Sequence, residues 1–287
     1  MSAPTPTNYV LGKSAHEDER LMFQARLLRP YTERYFRSAG IVPGMRVLDI
    51  GSGMGDVALL AADIVGPSGR VLGLDRDAKG LVRARSRTVE LGCSTWVSFQ
   101  EANLDDFATT EKFDALVGRY ILLYQPNPGA TLRRLTQFLV PGGIVAFHEL
   151  DFPDPSSSDP PCPYWDKVFA LVGEAFARAG APPHYGRRVA TAFTSAGLPF
   201  PTISADAVIG GAPGAYAYPW IANTLISVVP RLEGLGLTLP HDVPMDAREL
   251  AAKLEAEVLA CGSQVMAPTQ YGAWTRLGLA ARGETVT

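Results

Sequence analysis

The sequence predicts an α/β fold, a largely parallel sheet wound with helices on both faces, and three observations predict it. Strand-like apolar runs alternate with helical patterns from Met45 to about Leu150, as parallel strands joined by crossover helices do. Val47-Leu48-Asp49-Ile50 runs directly into Gly51-Ser52-Gly53-Met54-Gly55, which reads as a buried strand, a glycine-rich turn and a helix start. One unit further on, Asp75 closes the apolar run Val71-Leu72-Gly73-Leu74. A doubly wound, Rossmann-like fold puts a ribose-binding acid about there, roughly 20 residues beyond the turn.

The elements follow in order. Residues 1–8 read as a loose tail. Ser14-Ala15-His16-Glu17 is a capping-box pattern, after which Leu21, Ala25, Leu28, Tyr31 and Tyr35 recur at helical spacing up to Gly40. This helix precedes the first strand and so is expected across the mouth of the site. Helices are expected near 56–65, 77–91 and 128–139, with tight connections at Gly66-Pro67-Ser68-Gly69 and Pro141-Gly142-Gly143. After Asp151 the composition changes. The Pro- and Ser-rich stretch from Phe152 to Pro163 excludes a helix or central strand and reads as a surface loop. A helix over 164–180, a strand near 200–209 and a final strand over 269–278 complete the chain. The insertion 213–262 holds the Tyr216-Ala217-Tyr218-Pro219-Trp220 cluster and two helices, the second from about 246. The expected organisation is a tail and lid helix (1–40), a ligand-binding core (41–150), and the rest of the sheet with lid insertions at 152–185 and 213–262 (151–287).

The turn itself selects a ligand. Glycine lets the backbone approach where a Cβ would clash, and the following helix N-terminus offers N–H groups and a positive dipole end. The dinucleotide pattern G-x-G-x-x-G would need a glycine at position 56, which is Asp56. A carboxylate there repels a pyrophosphate and argues against a nicotinamide-dependent dehydrogenase. An adenosine-type ligand with one carboxylate and no phosphate fits better.

The D-x-G-x-G-x-G pattern of Asp49–Gly55 resembles motif I of class I S-adenosylmethionine-dependent methyltransferases. Further stretches carry the resemblance across roughly residues 9–150. Asp75 matches the acid closing the family's second strand. Phe99-Gln100-Glu101-Ala102-Asn103-Leu104 matches the stretch bracketing the adenine, with Asn103 where the family usually has Asp. Phe113–Tyr120 is similar to motif IV, and Leu139-Val140-Pro141-Gly142-Gly143 to the lead-in of the fifth strand. Tyr9-Val10-Leu11-Gly12 and Gln24 resemble the branch containing ubiquinone- and menaquinone-biosynthesis-type enzymes and many bacterial natural-product methyltransferases. The resemblance implies a sheet of about seven strands with the last antiparallel, S-adenosylmethionine as cofactor with S-adenosylhomocysteine as product, and methyl transfer to a small-molecule acceptor in bacterial secondary metabolism. It implies cofactor contacts from Tyr9, Gln24, Asp49, Gly51, Ser52, Gly53, Gly55, Asp75, Arg76, Asn103, Leu104 and Arg119. Asp49 is expected to orient the turn and the ligand's ammonium, and Arg119 to offer its backbone carbonyl. Arg76 either packs its stem on the adenine or points to water.

Candidates for acid–base work lie at strand ends, which line the crevice of an open α/β sheet. His148 reads either as a general base, its ordinary pKa near working pH, or as a histidine bonded for structure. Glu149 and Tyr124 come next; Tyr120 and Tyr124 are either core aromatics or pocket walls. Arg83, Arg85 and Arg87 read as a solvated helix face. No histidine has metal-ligand spacing, so no metal is expected. Net charge is −3, with no basic patch to favour nucleic acid. No apolar run spans a bilayer, the N-terminus is not a signal peptide, and Cys93, Cys162 and Cys261 form no disulfide framework, so the cytoplasm is expected. Two other uses of the fold stay open: cyclisation or rearrangement with the cofactor bound, and cofactor binding without catalysis.

Overall fold

Period-two burial makes the central strands. In the computed structural model, which describes residues 15–153 and 157–278 with side chains from Glu19 onward, successive residues of each strand enter opposite apolar clusters. β1 (Arg46–Ile50), β2 (Arg70–Asp75), β3 (Val97–Glu101), β4 (Phe113–Arg119) and β5 (Leu139–Asp151) are mutually parallel. A two-residue β6 (Ser158–Asp159) precedes β7 (Thr202–Asp206); β8 (Ile209–Gly210), β9 (Gln264–Met266) and β10 (Thr269–Arg276) follow. The main sheet runs β3-β2-β1-β4-β5-β10-β7, and β10 pairs antiparallel with both β5 and β7. The expected seven strands with an antiparallel last strand are therefore present. The Pro141-Gly142-Gly143 turn takes the form of a bulge inside β5, where the register with β4 shifts.

The helices are α1 (Ala15–Ala39), α2 (Asp56–Val65), α3 (Ala78–Glu90), α4 (Pro128–Leu135), α5 (Pro163–Arg178), α6 (Val189–Ser195), α7 (Ala217–Val228) and α8 (Ala247–Cys261). One face of the sheet packs Val47, Val71 and Ile144 against Phe36 of α1, Leu60 of α2 and Leu81 of α3. The other packs Leu48, Leu116 and Phe147 against Leu132 of α4 and Phe193 of α6. α5, α7 and α8 form a further layer over the sheet's C-terminal edge, with Trp165 and Tyr218 edge-to-face at its centre. The stretch before α5 is more than a surface loop: β6 pairs with β9 and β9 with β8 in a small second sheet, and Ser158 Oγ accepts from the Cys162 backbone N–H. Two residues suffice because an edge strand needs partners on one side only.

Candidate active site

A cavity of about 840 Å³ opens at the C-terminal edge of β1, β2, β4 and β5. That is near the top of the ~300–1,000 Å³ range of small-molecule sites. One end is polar: Gly51–Met54, Asp75, Arg76, Asp77, Asn103 and Leu104. The other is an apolar chamber walled by Leu150, Phe152, Phe176, Trp220 and Ile221. Arg119, Tyr120 and Tyr124 stand between, and Arg20 and Gln24 reach in from α1.

The polar end is built by the glycine turn. Ser52 N donates to Leu74 O at 2.9 Å, which bends the chain back over β2. Gly53 has φ +51, and a Cβ there would meet nothing within 4 Å, so its missing side chain leaves room open to the cavity. At Gly51 a Cβ would stand 2.5 Å from Ile121, so close packing requires glycine there. Gly55 caps α2 against Phe99 and does not line the cavity. Asp75 accepts from Gly53 N at 2.7 Å and Asp77 N at 2.8 Å, which fixes its carboxylate at the cavity wall with lone pairs left for a ligand. Asn103 Oδ1 accepts from Asp105 N and its amide donates to Asp106, so it holds the loop after β3 while lining the cavity. Arg76 is exposed at the rim, and Asp56 pairs with Arg87 at 2.7 Å.

Asp49 lies beneath the turn, fully buried, and neither carboxylate oxygen has a hydrogen-bond partner among the described residues. Burial pushes its pKa up to about 8, against the opposing pulls of the neighbouring Ser52 hydroxyl and then the Arg119 guanidinium. Asp49 does not itself line the cavity; Gly51–Met54 of the turn stand between it and that space. Burial in turn lowers the Arg119 pKa, with Asp56 and Asp49 acting against it.

The pleat of β5 sends its two candidate residues away from the cavity. His148 faces α1 and is fully buried. Its Nδ1 meets Thr32 Oγ1 at 2.8 Å and its Nε2 meets Gln270 Oε1 at 2.9 Å. That amide oxygen also accepts from the Tyr120 hydroxyl, so His148 Nε2 must be the donor and Nδ1 the acceptor. Burial lowers its pKa to about 3, which keeps the ring neutral. Glu149 faces the opposite side and accepts at Oε1 from Ile121 N (3.1 Å) and Leu122 N (2.8 Å), pinning the loop after β4. Burial raises its pKa to about 8. Neither residue lines the cavity, so the general-base reading of both has no geometric support and the structural reading of His148 fits. Tyr124 does line it. Gln24 is buried and lines the cavity; its Oε1 takes Arg20 Nη1 at 2.7 Å and Trp220 Nε1 at 3.4 Å. Tyr9 lies outside the described residues.

Several features of the cavity walls escaped the sequence reading. Arg20 falls on the buried face of α1 with Gln24, Leu28 and Thr32, where charged and polar types disguise the i, i+4 repeat. For Tyr120, read as core aromatic or pocket wall, the wall holds: it lines the cavity, with a φ of +53 that is rare for a bulky residue and has no signature in the sequence. The arginines of α3 are not merely solvated: Arg85 donates to Phe99 O and Arg87 to Met54 O, and Arg83 lines the cavity. Of the aromatic insertion residues, Trp165 and Tyr218 are lid core, Trp220 is cavity wall, and Tyr216 is exposed.

Comparison with known proteins places this cavity in context. Residues 41–180 match the model of a methyltransferase domain family. An arsenite methyltransferase from Aquipseudomonas alcaligenes is 32% identical over 129 residues, 41% of this chain and 37% of that protein. A 2-phytyl-1,4-naphtoquinone methyltransferase from Synechococcus elongatus is 35% identical over 112 residues, 39% of this chain and 48% of that protein. The chain thus spans less than half the length of these two relatives. The solved structure of a geranyl diphosphate methyltransferase in complex with S-adenosylmethionine shares the fold, with a TM-score of 0.51 and 16% identity over 92% of this chain and 93% of that one.

Proposed function

Since residues 41–180 belong to the class I S-adenosylmethionine-dependent methyltransferases, we propose that the chain transfers a methyl group from that cofactor to a small-molecule acceptor held in the apolar chamber, as part of bacterial secondary metabolism. One observation carries the reading: a single cavity joins the glycine turn and Asp75 to a chamber with apolar walls. The relatives support a small acceptor, since their names specify arsenite and a naphthoquinone.

The residues present fit the cofactor. Asp75, Ala102, Asn103, Leu104 and Gly51–Gly53 all line the cavity; Asp75 would accept from the ribose hydroxyls, the loop after β3 would flank the adenine, and the turn would give backbone contact. Asp49, buried behind the turn, would act on the ammonium across the turn rather than from the cavity wall, and Arg119 would close that end. When bound, the cofactor would supply an activated methyl group on a cationic sulfur, with the carbon–sulfur electron pair left on sulfur after transfer. The chain's part is positioning. Holding two reactants aligned is worth ~7–11 kcal/mol of barrier. Tyr120 and Tyr124 orient the acceptor between the two ends, and α1 with the segments 152–185 and 213–262 acts as a lid that excludes water. Gln24 supports that lid reading, since it links α1 to Trp220 of α7.

Calorimetry with S-adenosylhomocysteine, followed by a screen of small acceptors with methyl-labelled cofactor, tests the proposal. Micromolar binding and label in a product are expected. A protein that binds no S-adenosylhomocysteine would refute the reading; binding with cofactor-dependent product but no label would favour rearrangement.

A further inference from the structure

We infer that Cys162 and Cys261 form a thiol–disulfide site, in which exchange with a low-molecular-weight disulfide of the glutathione class cross-links the two inserted segments over the sheet. The two cysteines are distant in sequence, and strand pairing brings them together. β6 runs antiparallel to β9, with Ser158 opposite Val265 and Asp159 opposite Gln264. The two chains stay in step beyond the strands, since Ser263 Oγ donates to the Pro160 carbonyl at 2.5 Å. Each residue forward on one chain is a residue back on the other, so the same register sets Cys162 opposite Cys261. Directly opposed residues of an antiparallel pair stand ~4.5–5.5 Å apart at Cα, inside the ~4.4–6.8 Å that a disulfide spans. The side chains meet as this register requires: both thiols are free, they lie within hydrogen-bonding reach of each other, and they belong to one apolar cluster.

Accessibility assigns the order of steps. Cys162 is fully buried, and burial pushes its thiol up; Cys261 is half-buried and reachable from solvent. The Cys261 thiolate attacks one sulfur of glutathione disulfide, and one glutathione leaves as a thiolate that takes up a proton. Cys162 then gives its proton to solvent and attacks the Cys261 sulfur of the mixed disulfide, which releases the second glutathione. Two protein thiols are oxidised to one disulfide while one small disulfide is reduced to two thiols, so atoms and electrons balance.

The position of the bond decides what it does. Cys162 caps the start of α5, which carries Val172 and Phe176 to the cavity. Cys261 ends α8, which packs on α7 and its wall residues Trp220 and Ile221. The bond closes a covalent loop of roughly 100 residues and holds the foot of α5 to the end of α8. Oxidation therefore restrains the opening of the chamber walls, and reduction frees them. Neither step involves the cofactor, so the inference stands apart from the function proposed above.

The test oxidises the full chain with glutathione disulfide, without cofactor or acceptor, and maps its peptides by mass spectrometry without reduction. A peptide pair joined through Cys162 and Cys261 is expected, reversed by dithiothreitol, with Cys93 left as a thiol. Cys162→Ser should halt the reaction at a stable mixed disulfide on Cys261, and Cys261→Ser should leave Cys162 unreacted in the folded protein. The oxidised wild type should melt ~5 °C or more above the reduced one, and proteolysis within 213–262 should slow ~fivefold or more. No cross-link, a mixed disulfide that persists on Cys261 of the wild type, or a bond to Cys93 overturns the inference. A cross-link that leaves melting and proteolysis unchanged overturns its action on the chamber walls. Mapping of the wild type requires no substitution, so a serine variant that fails to fold leaves the test decisive.

Discussion

Replacing Asp49 by Asn should stabilise the protein without cofactor and weaken its hold on the cofactor. The carboxyl is fully buried without a hydrogen-bond partner, and burial lifts its pKa from 3.8 to about 8. Between those values the folded chain keeps a proton that the unfolded chain has released. The stability this group contributes is thus whole below pH ~4, declines as pH rises, and is lost above pH ~8. At ~1.4 kcal/mol per unit, the full span is on the order of 5 kcal/mol, and water penetration and relaxation reduce it to roughly 2–4 kcal/mol. Asparagine has nearly the same shape and no titration. Its advantage in urea unfolding should therefore be smallest below pH ~4, partial at pH 5 and largest at pH 8. With S-adenosylhomocysteine the order reverses: the ammonium loses its charged partner, and affinity falls ~10- to 100-fold by calorimetry. An unfolding difference between variant and wild type that is the same at pH 5 and pH 8 would refute the burial argument. Unchanged cofactor affinity would refute the pairing with the ammonium.

Other substitutions test other parts of the site. Asp75→Ala removes the ribose acceptor and leaves Gly53 N and Asp77 N without their partner, so S-adenosylhomocysteine affinity should drop ~10- to 100-fold by calorimetry. His148→Asn breaks the links to Thr32 and Gln270 and should lower the unfolding free energy by ~2–3 kcal/mol in urea melts, with cofactor affinity within about threefold; wild-type stability would show that these bonds contribute nothing. Gly51→Ala puts a Cβ 2.5 Å from Ile121 at φ +68 and should cost ~2 kcal/mol or more of stability together with most cofactor binding; a variant with wild-type melting would contradict the close packing. Limited proteolysis should cut within 152–163 or 213–262 first and slow when cofactor and acceptor are added; protection unchanged by ligands would speak against a lid.

The parts of the site that follow from local pattern were legible in the sequence. A buried strand, glycines in a turn and an acid at the next strand end are contiguous features, and they placed Asp75, Ser52 and Gly53 on the cavity wall. Composition marked 152–185 and 213–262 as additions to the sheet, and Phe152, Val172, Phe176 and Trp220 from them line the cavity. Side-chain direction at a strand's last residues was not legible. His148 and Glu149 were expected at the crevice because β5 ends there, but pleating turns one to α1 and the other to the loop after β4. Gln270, which holds both His148 and Tyr120, is distant in sequence and reaches them only through the pairing of β10 with β5. Arg20 was hidden for a third reason: hydrophobic periodicity discards charged residues, and only the packing of α1 shows this one facing inward.

The reversed direction of β10 has a bearing on how such a chamber can change. β7 runs parallel to β5 and finishes at the ligand edge; β10 begins there, and Asp206 faces Gln270 across adjacent strands. The whole stretch between them, which supplies Trp220, Ile221, Thr224 and Pro268 to the cavity, leaves and rejoins the sheet at neighbouring points. A segment tethered at two adjoining points can lengthen, shorten or be exchanged without altering strand register or the cofactor turn on the far side of β1. Under the proposed function, acceptor choice would sit on a replaceable cassette, and a graft of this segment between chains of the same fold is the direct way to test that.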